Sequence, residues 1–209
     1  MTENRMLGKV LMATVLLTWA LVPGTPALAL HFPATGQTTA YPADKNDGIL
    51  GPVPVPDDGT LRWGAPLRYK DNGDGTITDL NTALTWEKKC SCGGLHDVGN
   101  VYVWSGDGLQ ETISDWLDAV NAEGGTGYAS HNDWRIPNVR ELESIADYGW
   151  SYPSINLAFG PTAPSFYWSS TTGADDDDNA WLVVFDIGFV SDGDKSGPGY
   201  VRAVRGGHQ

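Results

Sequence analysis

Apolar and polar positions change period several times along the chain. Leu67-Arg68-Tyr69-Lys70 and Thr76-Ile77-Thr78-Asp79-Leu80 alternate around Asp71-Asn72-Gly73-Asp74-Gly75. That is a hairpin pattern, with Gly and Asn supplying the positive φ of a tight reversal. Leu84 and Trp86 alternate likewise and continue the strands. The period then lengthens. Ile113, Trp116, Leu117 and Val120 recur at i, i+3, i+4 and i+7, with Thr112 and Asp115 as a capping pair and Gly124-Gly125 as the stop. A second helix is expected after Asn138, where Glu141 completes a capping box and Val139, Leu142, Ile145 and Ala146 form a buried stripe ending at Gly149. The remainder reads as strands at Phe166 to Ser169, Ala180 to Asp186, Gly188 to Ser191 and Tyr200 to Arg205. Polar loops are expected at Thr171 to Asn179 and Asp192 to Gly199. Helices and strands are grouped, not interleaved, so the fold class is α+β.

Residues 30–66 are rich in Pro, Gly and Asp, and Pro52-Val53-Pro54-Val55-Pro56 must be extended because each proline fixes its own φ and restricts its predecessor. This stretch is expected to be an arm, not a domain, and residues 206–209 a tail. The first 29 residues read as a secretory signal: Arg5 and Lys9 precede the apolar run Val10 to Val22, and Ala27-Leu28-Ala29 is a small-x-small cleavage site. Met6 is an alternative start. The run has 13 residues, whereas a spanning helix needs roughly 20. Stable membrane insertion is therefore not expected, with an uncleaved anchor as the alternative. The mature chain would begin near Leu30 and act in the periplasm, at the cell surface or in the medium.

The motif order carries a resemblance. Asp133-Trp134-Arg135-Ile136-Pro137-Asn138 leads into the second helix, Tyr167-Trp168-Ser169-Ser170-Thr171 opens the later strands, and Tyr200-Val201-Arg202-Ala203-Val204-Arg205 closes them. Together with Asp71-Asn72-Gly73-Asp74-Gly75-Thr76, Thr78-Asp79 and Trp86, this resembles the Lcl C-terminal domain family over residues 67–205. Pro33-Ala34-Thr35-Gly36-Gln37-Thr38 resembles the lead-in found upstream of it. A more distant resemblance links the helix, Arg-apolar-Pro and capped-helix order to the formylglycine-generating enzyme group. Both imply a C-type-lectin-like fold with two helices and a curled antiparallel sheet. As framework, Trp134 and Ile136 are expected in the core, Trp168 and Trp181 facing each other across it, and Arg202 and Arg205 paired with carboxylates.

Charge narrows the partners. The formal net charge is −13, and without residues 1–29 the chain keeps 11 basic against 25 acidic residues, about −14. Such a surface repels phosphate and sulfate backbones, so nucleic acid is excluded. Some members of the resembled family bind sulfated glycosaminoglycans, which suggests a glycan, but the acidic balance argues against a sulfated one.

Catalytic motifs are scarce. There is no Gly-x-Ser-x-Gly, His-Glu-x-x-His or phosphate-loop pattern, and the four His stand at 31, 96, 131 and 208. The chain is expected not to be an enzyme. An oxidase of the formylglycine-generating type, the alternative, needs a late cysteine pair for copper, whereas the two cysteines are Cys90 and Cys92. For these, a disulfide, free or intermolecular thiols, and a metal site with His96 and Asp97 all remain open. No cofactor is certain. Calcium is the candidate, at Asp71, Asp74 and Asp79 or on the loops bearing Asp175, Asp176, Asp177, Asp178 and Asn179, and Asp192 and Asp194. The competing reading of the hairpin aspartates is turn formation. The expected function is an adhesin-like recognition domain that binds a glycan or surface protein. Its ligand residues would be Asp175 to Asn179, Asp192, Asp194 and Lys195, with the segment His96 to Gly108. A structural envelope subunit docked through the 30–66 arm is the third reading.

Overall fold

A computed structural model describes residues 32–40, 57–106 and 108–207. The expected signal segment, most of the proline-rich stretch of the arm and the end of the tail lie outside the described residues. The described elements are α1 (Asp58–Leu61), β1 (Tyr69–Asp71), β2 (Thr76–Asp79), β3 (Leu84–Glu87), β4 (Val101–Val103), α2 (Ile113–Ala122), α3 (Val139–Glu143), β5 (Phe166–Thr172), β6 (Asn179–Val184), β7 (Phe189–Asp194), β8 (Pro198–Tyr200) and β9 (Val204–Gly206), with three short 3₁₀ turns. This is an α+β fold. Its strands form two sheets, ordered β1-β2-β3-β9 and β4-β8-β5-β6-β7.

The five-stranded sheet divides the interior because successive strand residues point to opposite faces. In β5, Tyr167 joins one core with Trp86, Leu142, Ile145, Phe159 and Val183. Its neighbour Trp168 joins the other, with Trp116, Val120, Trp134, Ile136 and Leu182. Helix α2 begins with the expected reciprocal cap between Thr112 and Asp115. Its Asn121 then holds Trp134 from both sides, donating to the Trp134 carbonyl at 2.9 Å and accepting from its N–H at 2.9 Å. The Asn138–Glu141 box starts α3, and Glu141 also takes both guanidinium nitrogens of Arg135 at 2.7 Å.

Several expectations are corrected. Helix α3 stops at Glu143, because the Ser144 hydroxyl donates to the Glu141 carbonyl at 2.6 Å and so competes with the helical ladder. Leu142, Ile145 and Ala146 are buried as expected, but the last two lie beyond the helix. The single closing strand is two strands in two sheets. Between them the Glu87 carboxylate accepts the Ala203 N–H at 2.9 Å while Glu87 N–H donates to the Ala203 carbonyl at 2.9 Å, pulling residues 201–203 out of the ladders. Trp181 does not face Trp168 across the core. It pairs in register with Asp192 and is 37% exposed, since the inward positions of β6 on that side of the sheet are Ala180 and Leu182. Arg205 does pair with Asp133, at 2.7 Å. Among the described residues Arg202 pairs with no carboxylate; it is wholly buried, donating to the carbonyls of Glu87 and Phe159 and to the Thr162 hydroxyl.

The arm is not purely extended. Asp57 caps the single helical turn of α1. Pro33 bridges Ala65, Thr35 accepts the Tyr148 N–H, and the Thr35 hydroxyl bonds Asp58, so its described parts lie along the chain's own domain.

Candidate functional site

The residues singled out on the two polar loops do come together, although the elements differ from expectation. Strand β5 runs to Thr172, so the first loop is the turn 173–178, and β7 runs to Asp194, so the second loop shrinks to a turn at 195–197. Cross-strand register places Asn179 opposite Asp194 and Trp181 opposite Asp192. These four side chains share one face because they alternate with Ala180, Leu182 and Gly193. The Asn179 amide stands 3.3 Å from an Asp192 carboxylate oxygen and 3.4 Å from one of Asp176. Asp176 caps its own turn through the Asp178 N–H.

Lys195 ties the turns together without reaching a carboxylate. Its N–H donates to the Asp178 carbonyl, its ammonium donates to the Asp177 carbonyl at 2.5 Å, and that ammonium lies 4.3 Å from the centre of the Trp104 ring. That cation is thus engaged, and the carboxylates of Asp176, Asp177 and Asp178 stay exposed. Ligand oxygens of these three lie within 4.8 Å of one another, close enough for one hard cation to bridge. Asp194 is held below the usual carboxylate range by the Ser196 N–H and hydroxyl, so it stays charged. The face therefore offers an indole with a flanking amide and several charged acceptors. Trp181 is what sequence reasoning missed, although its alternation with Ala180 and Leu182 was readable.

The other predicted residues lie elsewhere. Asp71 bonds Lys88 and the Gly73 N–H, Asp74 caps Thr76, and buried Asp79 caps Asn81 and Thr82. They serve turns at opposite ends of the hairpin, and among the described residues they form no cation-sized group. Cys90 and Cys92 are joined by a disulfide across a turn with 5.4 Å between Cα atoms. Asp97 secures that turn, accepting the N–H groups of Cys92, Gly93 and Gly99.

The segment 96–108 begins inside the fold and reaches the surface at Ser105, Gly106 and Gly108. His96 is buried and stacked on Tyr128 at 3.8 Å. One ring nitrogen lies 2.7 Å from Glu87 and the other 3.1 Å from Glu123. Glu87 also meets the Lys89 ammonium at 2.8 Å, and both side chains are almost completely buried. Burial alone would raise the Glu87 carboxyl, but Lys89 and His96 hold it down at about 2. For Lys89, burial outweighs Glu87 and lowers the ammonium. His96 is raised, because Glu87 and Glu123 overcome the opposing effect of burial.

A pH dependence follows. The contribution of His96 is complete below its ordinary 6.5 and is lost as pH rises through the raised folded value. That of Glu87 is complete above 4.5 and is lost as pH falls towards about 2. Thermal stability is expected to be highest between pH 4.5 and 6.5, and His96→Gln should flatten the decline on the alkaline side. A wild-type melting temperature that climbs from pH 6.5 to about 8 would contradict the assignment.

No curated protein matches the chain significantly. The family model described as the Lcl C-terminal domain matches residues 75–205, well over half of the 209 residues. Its span runs from the hairpin glycine through the Trp181 face to the closing strand, and the chain belongs to the Lcl C-terminal domain family.

Proposed function

We propose that this chain is an exported, non-catalytic recognition module of C-type-lectin-like architecture that takes a neutral glycan on the Trp181 face. The observation that carries the reading is the row Asp176, Asn179 and Asp192, linked through the Asn179 amide, beside the exposed Trp181 ring. An indole receives the apolar face of a sugar ring, and the amide and carboxylates receive its hydroxyl protons. The same carboxylates disfavour sulfated or phosphorylated ligands. Calcium in the Asp176–Asp178 turn would neutralise three adjacent charges and fix the loop.

A glycan array probed with the full chain, with and without calcium, tests this. Binding is expected to unsulfated glycans, stronger with calcium, and reduced at least about tenfold by Trp181→Ala, a loss of about 1.4 kcal/mol. Absence of binding to every glycan in both conditions defeats the reading, as does binding indifferent to Trp181→Ala and Asp192→Asn.

A further inference from the structure

Of the four terminal strands in the two sheets, β1, β4 and β9 have three residues each, whereas β7 has six. Its ladder with β6 has a definite phase. Lys195 N–H donates to the Asp178 carbonyl, and the residues two and four positions earlier, Gly193 and Ser191, turn their backbone groups to β6 in the same way. Val190 and Asp192 then direct theirs to the open side, where no other described strand lies. An uncovered strand of this length is a template for another strand.

The two faces of that edge differ. One carries Asp192 and Asp194, both exposed. A second copy pairing there would set carboxylates against carboxylates, which is unfavourable, whereas basic side chains would be matched. The other face carries Phe189, 44% exposed, with Ser191 and Gly193. It borders a groove of about 390 Å³ floored by Phe166, Trp168, Leu182 and Val184. A side chain at position 193 would begin 3.2 Å from Leu182 and 3.5 Å from Trp168, so glycine leaves that apolar floor within reach of a neighbouring strand.

We propose that the open edge of β7, with this groove, docks an extended peptide segment in which basic and apolar residues alternate. Ladder hydrogen bonds to Val190 and Asp192 hold its backbone. Its basic side chains stand over Asp192 and Asp194, and its apolar ones lean into the groove beside Gly193. Six residues of strand, roughly 20 Å, are enough to cover the edge. This surface goes beyond the glycan face, with Asp192 the residue that borders both.

The test uses the full chain and three labelled hexapeptides: alternating leucine and lysine, the same composition in two blocks, and the alternating sequence N-methylated at every second residue. The alternating peptide should bind at least about tenfold more tightly than the other two and slow amide exchange at Val190 and Asp192. Phe189→Ser should weaken it several-fold without disturbing glycan binding, and Asp192→Lys with Asp194→Lys should abolish it. Equal binding of the block peptide, unchanged exchange in β7, or no binding at all overturns the proposal. The Phe189→Ser result for glycans keeps its failure separate from that of the Trp181 reading.

Discussion

Glu87→Gln is expected to remove about 3–5 kcal/mol of folding stability, the cost of stranding one member of a buried ion pair. Glutamine fills the same space, so the loss isolates charge from packing. The Glu87 carboxylate touches Lys89, His96 and the Ala203 N–H at 2.7 to 2.9 Å, and its side chain has no solvent exposure. Without it, Lys89 keeps an ammonium with 3% exposure above the Trp116 ring. Such a charge must either remain unpaired or lose its proton, and both destabilise the fold. Denaturant titration should show the midpoint falling with an unchanged slope. The double variant Glu87→Gln with Lys89→Met should recover much of the loss, because the stranded Lys89 ammonium is then gone. A single substitution costing under about 1 kcal/mol would show that the pair is not held as the geometry indicates.

Gly127→Ala is expected to cost about 2–5 kcal/mol, from backbone strain combined with overpacking. Gly127 has φ 84° and ψ 168°, a region essentially reserved for glycine. A methyl group there would lie 2.0 Å from the His131 carbonyl oxygen and 2.5 Å from its carbon. These are backbone atoms of the turn that carries Trp134, so they cannot rotate aside as a side chain could. The neighbouring Tyr128 covers His96 and donates to the Gly75 carbonyl at 2.6 Å, so displacement would spread to the hairpin. Gly73→Ala is the control. Its φ of +79° is also positive, but nothing lies within 4 Å of the added carbon, so a left-handed backbone cost of about 1–2 kcal/mol is expected without a clash. Equal losses for the two variants would remove the steric half of the argument.

What could be read in advance depended on the range of the interactions. Both capping boxes, the glycine hairpin and the start of each helix are set by residues within four positions of each other, and Thr112–Asp115 and Asn138–Glu141 were legible for that reason. The short α3 depended on the Ser144 hydroxyl choosing a backbone partner. Nothing local marks Glu87 and Lys89 as buried, since Arg202, which donates to the Glu87 carbonyl in the same buried layer, is 115 residues away. At the Trp181 face, the acidic turns were visible as composition. The pairing of Trp181 with Asp192 was not, since it requires the register of β6 on β7. The edge groove was hidden similarly: Phe166, Phe189 and Gly193 meet only through the pairing of β5, β6 and β7.

The stretch from Tyr200 to Val204 belongs to both sheets, pairing with Val101 at one end and Trp86 at the other. Two sheets joined in this way are expected to unfold together. Melting followed at the tryptophans of either core should superimpose on one curve, and slow-exchanging amides in β3 and β5 should report a common opening energy. The turns at 173–178 and 195–197 are thus anchored through both sheets, and damage anywhere along this shared seam should loosen the Trp181 surface as well.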